Sequence, residues 1–375
     1  MCGATSCEAR FLQNLLAFCK FAYILKYRTT LEDNMKYLGT TVAALALGTA
    51  ATLTSIGTAD AETVYRFSNW VPGTTHPSPG FEAWGKSIEE ASEGRIKIEF
   101  FHAGQLGGPR DHYNMVRDGI ADFGWSVPAF EPDRFPIFEV TSLPYLTRDS
   151  VKASNVVHTW YKNYEADEMS EVKLCAITMA PEGTLNFKDM EIRTPDQMAG
   201  VKIRPVGTFL TQFVKDLGAV PVAIPASEAR QAFDRGLVEA IAFPWRTLYP
   251  FGLDKVTTHH QDMIVYAVAA TVIMNKDVYA GMSDEDKAVM DSHCQPEWSE
   301  RINQMWFEWE KEGRNMLTAD GHTIYKLTED EMKQWTDAAR PLYDGWVDLV
   351  KDRVPNDDEA LSSLLEAMDA AGAGY

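Results

Sequence analysis

Arg204 is the residue whose type and setting speak most directly of chemistry. It stands in Gly200-Val-Lys-Ile-Arg-Pro-Val-Gly, near the end of a predicted strand. With a side-chain period of two, Lys202 and Arg204 share one face and Val201 and Ile203 the other. Pro205 and Gly207 then break the strand at once. Where a strand ends and a helix begins is the mouth of an α/β sheet, where ligands bind. A planar guanidinium there can grip a carboxylate through two parallel hydrogen bonds. Aromatic residues fall at other predicted strand ends: Trp70, Trp125, Phe243 and Trp245. His76, in the loop after the first strand, can hydrogen-bond a ligand, and Asn69 and Tyr113 are further polar candidates. Trp84, Trp298, Trp306, Trp309, Trp335 and Trp346 lie in helical patterns and are expected in core or interdomain packing.

Other chemistries fail on spacing. His259-His260-Gln261-Asp262 suggests a metal, but adjacent strand residues point apart, and no HExxH or CxxC partner exists. Asp111-His112 is no acid–base pair, because helix neighbours i and i+1 do not face each other. Gly104–Gly108 lacks the GK[ST] ending of a phosphate loop. No Ser-His-Asp spacing or nucleophile elbow occurs. The expectation is binding without catalytic residues, metal or cofactor. With 35 basic and 54 acidic residues, the formal charge of −19 argues against nucleic acid or an anionic membrane surface as partner.

The elements that must position these residues alternate. Strand 64–69 precedes a helix carrying Phe81, Trp84, Ile88 and Ala91 on one face, which Gly94 stops. Strand 95–101 alternates, a helix covers 110–117, and strand 120–127 follows. This βαβαβ order predicts a parallel sheet covered by helices. Later strands are expected at 172–178, 184–188, 200–204, 237–244 and, as one buried run, 263–274. Ser227 is an expected N-cap for a helix to 235. A long helical tract opens at the Ser283-Asp-Glu-Asp286 box and another at Thr328-Glu-Asp-Glu331. The tail from Asn356 reads as helical and peripheral.

Residues 35–61 read as a Sec signal peptide: Lys36, a run of small and apolar residues, then Ala59-Asp60-Ala61 for cleavage before Glu62. Residues 1–34 then read as a mis-annotated upstream extension; a membrane anchor through residues 11–25 is interrupted by Gln13, Asn14 and Lys20. The protein is expected in the periplasm, with no membrane insertion of the mature chain. Cys2, Cys7 and Cys19 leave with the N-terminus; whether Cys175 and Cys294 pair is open.

Three stretches carry a family resemblance: Phe81–Gly107 (FEAWGKSIEEASEGRIKIEFFHAGQLG), Asp111–Trp125 (DHYNMVRDGIADFGW) and Gly200-Val-Lys-Ile-Arg204, with Leu217–Val222 and the helix containing Glu228 at matching spacing. The chain resembles the periplasmic solute-binding proteins of TRAP transporters (tripartite ATP-independent, DctP-type) over residues 62–350. The resemblance implies a two-domain α/β fold of the periplasmic-binding-protein type II class, with a hinge and a long helix spanning both domains. It implies domain I from 62–182 plus 269–308, domain II from 183–268 plus 309–350, and a C-terminal tail from 351–375. It makes Arg204 the carboxylate clamp and implies hand-over of the ligand to sodium-driven membrane permease subunits. Two positions depart from the pattern: Leu185 stands where many members carry a second basic residue, and Ala242-Phe243-Pro244 replaces Glu-Asn-Pro. The expected ligand is an organic monocarboxylate with an apolar or aromatic body, held by Arg204 beside Phe243, Trp245, Trp125 and Trp70. A ligand sensor for a signalling kinase and a periplasmic lyase or isomerase are the alternatives. The enzyme would need a titratable pair in the cleft, and no motif for one is present.

Overall fold

The computed structural model describes residues 62–375 apart from 132, 182, 355 and 356. The stretches read as an upstream extension (1–34) and a signal peptide (35–61), with Cys2, Cys7 and Cys19, lie outside the described residues. In chain order the strands are β1 (Thr63–Ser68), β2 (Ile96–Phe101), β3 (Phe123–Ser126), β4 (Val172–Met179), β5 (Thr184–Phe187), β6 (Lys202–Arg204), β7 (Val220–Pro221), β8 (Ala240–Phe243), β9 (His259–Gln261), β10 (Ala269–Asn275) and β11 (Thr323–Tyr325). The α-helices are α1 (Ser78–Ala91), α2 (His112–Arg117), α3 (Ser150–Tyr161), α4 (Glu165–Glu168), α5 (Gly207–Asp216), α6 (Ala226–Asp234), α7 (Lys276–Gly281), α8 (Asp284–His293), α9 (Pro296–Ala319), α10 (Glu329–Val350) and α11 (Asp357–Ala370).

The strands form two mixed sheets, ordered β2-β1-β3-β10-β4 and β11-β9-β5-β8-β6-β7. β1 pairs in parallel with β2 and β3, as the βαβαβ order predicts, but β10 enters antiparallel between β3 and β4. Helix α1 seats Phe81, Trp84 and Ile88 against the first sheet with no exposure, each worth about 1.5–3 kcal/mol of apolar burial. Gly94, at φ +84°, turns the chain into β2.

Some expectations change. The apolar run 263–274 is not one strand. Only its second half is β10, while 262–268 crosses from the second sheet to the first, bonded to Gly183 through Val265 N and Tyr266 O. Apart from the partly exposed Ile264 and Val268 the run is buried in both halves, so hydropathy alone could not divide it. The tract after Ser283 is not one helix either: α8 ends at His293 with Cys294 as its C-cap, and Pro296 starts α9 afresh. Cys294 is disulfide-bonded to Cys175 on β4, closing a sequence separation of 119. Pro225, not Ser227, stands at the N-cap of α6. The tail is docked rather than peripheral. Trp160 Nε1 of α3 donates to Ala360 O at 3.0 Å, and Ala373 O accepts from the backbone N–H of Arg148 and Asp149. The hydroxyl of Tyr375 accepts from Ile264 N at 3.1 Å and donates to Ile264 O at 2.9 Å, on the crossover itself.

Helix α9 contacts both sheets. Its buried stripe runs through Ser299, Ile302, Asn303, Trp306, Glu310, Gly313 and Leu317. β4 is an edge strand, and the stripe satisfies its open backbone groups. Ile177 N donates to Ser299 Oγ at 2.8 Å, and Met179 N donates to Asn303 Oδ1 at 2.9 Å. Asn303 Nδ2 donates in turn to Met179 O and Ser150 O at 2.8 and 2.9 Å. Further along, a Cβ at Gly313 would collide with the backbone N of Arg246, so the helix meets the loop after β8 backbone to backbone. Among the described residues no helix is long and apolar enough to cross a membrane.

Asn303→Ala would leave the buried N–H and C=O of Met179 without their partner. Denaturant unfolding is expected to show a loss of about 2–4 kcal/mol; a loss below ~0.5 kcal/mol would mean that the edge of β4 does not depend on this amide.

Candidate functional site

β6 and β8 are parallel neighbours, so Arg204 and Phe243 emerge at the same end of the second sheet. β1 and β3 are parallel neighbours in the first, so Trp70, just after β1, and Trp125, on β3, also share an end. The indoles of Trp70 and Trp125 stack at 5.0 Å with planes 8° apart. The ring of Trp125 meets Trp306 of α9 edge-on at 6.1 Å. One turn on, Trp309 lies 5.6 Å from His76 and carries the Arg246 guanidinium 4.4 Å above its ring. Arg314, held by Asp262 at 2.6 Å, covers Trp245 at 5.3 Å. The Arg204 guanidinium is 5.8 Å from the Phe243 ring. The predicted residues Arg204, Phe243, Trp245, Trp125, Trp70 and His76 thus form one belt around the middle of α9.

Arg204 is half-buried and makes one hydrogen bond, Nε to Ile224 O at 3.3 Å. Its Nη1 is buried without a partner, and no carboxylate lies within ion-pair distance among the described residues. Burial therefore lowers its pKa, opposed only by Tyr266. Trp70 Nε1, Trp245 Nε1 and His76 Nδ1 are likewise buried without partners. Burial and the charge of Arg246 lower the pKa of His76, which keeps it neutral near pH 7. The unpartnered groups of the belt are thus donors, His76 aside. Such a site suits holding an anion rather than relaying a proton.

Three predicted residues do not join. The side-chain amide of Asn69 is spent on its own loop: Nδ2 donates to Ser78 Oγ at 2.7 Å and bonds His102 Nδ1 at 3.2 Å, while Oδ1 accepts from Val71 N. Tyr113 is fully buried under Arg134, 3.9 Å above its ring. Arg134 pairs with Glu171, just before β4 begins, at the far end of the sheet from Trp70 and Trp125. Leu185 is also fully buried. It pairs with Ala242, whereas Asn186 and Arg204 both stand opposite Ile241. Strict alternation therefore puts Leu185 and Arg204 on opposite faces of the sheet.

Other residues that shape the belt were not singled out from sequence. Glu310 Oε1 accepts from the backbone N–H of Arg246 and Thr247, and Oε2 accepts from the Thr247 hydroxyl at 3.0 Å. Burial raises its pKa to about 7 against the pull of these donors. The signal for it was an acid on the otherwise buried stripe of α9. Asn186 Nδ2 donates to Phe243 O at 2.8 Å, and His260 Nδ1, at 2.8 Å from Asn186 Oδ1, fixes that amide. His260 Nε2 is 2.8 Å from His322 Nδ1. The pair of histidines thus braces the end of β8; among the described residues no group of three metal-ligating side chains comes together.

Comparison with known proteins bears on what such a belt does. Residues 67–348 match the profile of the family described as bacterial extracellular solute-binding protein, family 7 (DctP). The C4-dicarboxylate-binding periplasmic protein DctP of Rhodobacter capsulatus is 24% identical over 318 residues, 82% of this chain and 93% of that protein. A marine metagenome TRAP solute-binding protein specific for aromatic acid ligands, solved with 3-hydroxybenzoate, superposes with a TM-score of 0.77. It is 25% identical and covers 83% of this chain and 99% of its own. A TRAP solute-binding protein from Rhodoferax ferrireducens with copurified benzoate has a TM-score of 0.76 at 22% identity, covering 83% of this chain and 98% of its own.

Glu310 sets a pH dependence. Between its usual 4.5 and about 7 the folded chain retains a proton that the unfolded chain gives up. Its stabilising share is therefore complete below pH 4.5 and is lost as pH rises through 7. Buried Glu139, also raised to about 7, acts with the same sign. Unfolding free energies at pH 5 and 8 should therefore fall less steeply in Glu310→Gln than in the wild type; equal slopes would remove Glu310 from the account.

Proposed function

We infer a ligand for this chain from one premise: it belongs to the bacterial extracellular solute-binding proteins of family 7, the TRAP transporter receptors. It is thus an extracytoplasmic receptor for organic acids and not an enzyme. We propose that its ligand is a monocarboxylate with an aromatic or apolar body. The carboxylate sits on Arg204, and the body lies against Trp70, Phe243 and Trp245, with Trp125 backing Trp70. Residues 62–182 with 269–308 and residues 183–268 with 309–350 act as the two lobes that close over it. The closed form then delivers the ligand to a sodium-driven permease.

The observation that carries this reading is the state of Arg204: a half-buried guanidinium at a strand end whose Nη1 is buried without a partner, with one carbonyl partner and no acid in reach among the described residues. An uncompensated buried charge costs several kcal/mol, and a carboxylate offsets that cost through paired charge-assisted hydrogen bonds. A second acidic group on the ligand would find no second free cation in the belt among the described residues, since Arg246 is engaged by Trp309 O and Glu312 and Arg314 by Asp262. The relative that shares 25% identity takes aromatic acids, which supports the aromatic body.

A thermal-shift series against organic acids tests this. Aromatic monocarboxylates are expected to raise the melting temperature of residues 62–375, by mass action on the folded state. Arg204→Ala is expected to abolish the shift, and Arg204→Lys to weaken it by at least about tenfold in Kd, because an ammonium lacks the bidentate fork. Equal stabilisation of Arg204→Ala, or a best ligand without a carboxylate, would refute the clamp.

A further inference from the structure

A carboxylate on Arg204 accounts for one set of buried donors and leaves two others. An indole N–H donates and cannot accept. Five structural tryptophans obey that demand inside the protein. Trp84 and Trp125 donate at 2.9 Å to His293 O and Thr178 Oγ1. Trp160 and Trp346 donate at 3.0 Å to Ala360 O and Pro136 O, and Trp335 donates at 2.8 Å to Arg193 O. Trp70 and Trp245 do not: each Nε1 is buried and meets no acceptor among the described residues. Leaving a buried donor unmade costs about 1–3 kcal/mol. The two exceptions are the two tryptophans that follow strands at the ligand ends of the sheets, Trp70 after β1 and Trp245 after β8. They belong to the same belt as Arg204, through Trp125, Trp306 and Trp309 on one side and Phe243 on the other.

We propose that the ligand presents a second hydrogen-bond acceptor on its body, apart from its carboxylate, and that the indole N–H of Trp70 or Trp245 receives it. The proposal rests on the reading that Arg204 takes a carboxylate. The acceptor is an uncharged oxygen, a hydroxyl or ether on the aromatic ring, because no further free cation stands in the belt among the described residues. Arg246 is engaged by Trp309 O and Glu312, and Arg314 by Asp262. His76 does not decide the matter, since its Nδ1 donates or accepts according to tautomer. The indoles do, because they have one role only. The site is therefore selective for hydroxylated or alkoxylated aromatic acids over their hydrocarbon counterparts, since the counterpart buries the same area but leaves the indole unpaired.

Calorimetric titration of residues 62–375 with matched hydroxy- and methylbenzoates, at each of the three ring positions, tests this. At one position the hydroxy acid is expected to bind at least about tenfold tighter than its methyl twin, and the methoxy acid to keep part of the gain. Trp70→Phe or Trp245→Phe, which keep a ring but remove the N–H, is expected to reduce that ratio at least about fivefold. Methyl acids that bind as well as hydroxy acids at every position, while Arg204→Ala still abolishes binding, would overturn the second acceptor and leave the clamp standing. A ratio that survives both Phe variants would overturn the indoles as its recipients. No binding by any of these acids, or binding indifferent to Arg204→Ala, would remove the clamp and this proposal together. The wild-type ligand pairs decide even if a Phe variant fails to fold.

Discussion

Three polar side chains on one stripe of α9 fix where the first sheet and the loop after β8 stand relative to it. Ser299 and Asn303 complete the open edge of β4, and Glu310 completes the loop that follows β8. A helix rises 1.5 Å per residue, so the stretch from Asn303 to Glu310 spaces the two attachments by about 10 Å. Trp306 sits between them, and Trp309 and Arg314 flank the second, so aromatic wall and strand ends refer to one rigid rod. Buried amides and carboxylates tolerate little misplacement, because a mispaired group forfeits its desolvation cost. Apolar contacts alone would let the rod slide; these hydrogen bonds set its register.

The belt also resolves a conflict in the electrostatics. A chain with a formal charge of −19 repels an anion at long range. That repulsion is screened over roughly 8–10 Å in physiological salt. Within the belt the balance reverses, since the guanidinium of Arg204 acts in a desolvated setting with no acid beside it. On the proposed role of Arg204, capture is a short-range event governed by geometry. The remainder of the belt is tryptophan and phenylalanine, which add area without adding charge.

Much of this was legible in the sequence. Phe81, Trp84 and Ile88 announce a helix face by spacing alone, and they are buried as that spacing requires. Arg204 was legible because a strand end, a proline and a glycine leave a side chain little choice of place. Leu185 misled because alignment gives position along a strand but not which face a neighbouring strand shares; that depends on the register with β8. Asn69 misled because its partner Ser78 lies nine residues ahead, across a loop whose path no periodicity encodes. Tyr113 misled because its depth is set by Arg134 and Glu171, both distant in sequence. The crossover at 262–268 was invisible since a buried connection and a buried strand have the same hydropathy.

The carboxyl terminus gives the molecule a handle on its own crossover. Tyr375 is the last residue, and its hydroxyl clasps both backbone groups of Ile264 in the segment that joins the sheets. The family profile ends at residue 348, so this clasp belongs to the stretch beyond it. A dye at Tyr375 would lie against the segment that joins the sheets, whereas one on β1 would lie on a sheet. A dye on Tyr375 therefore reports on the segment between the sheets, and one on β1 reports on a single sheet.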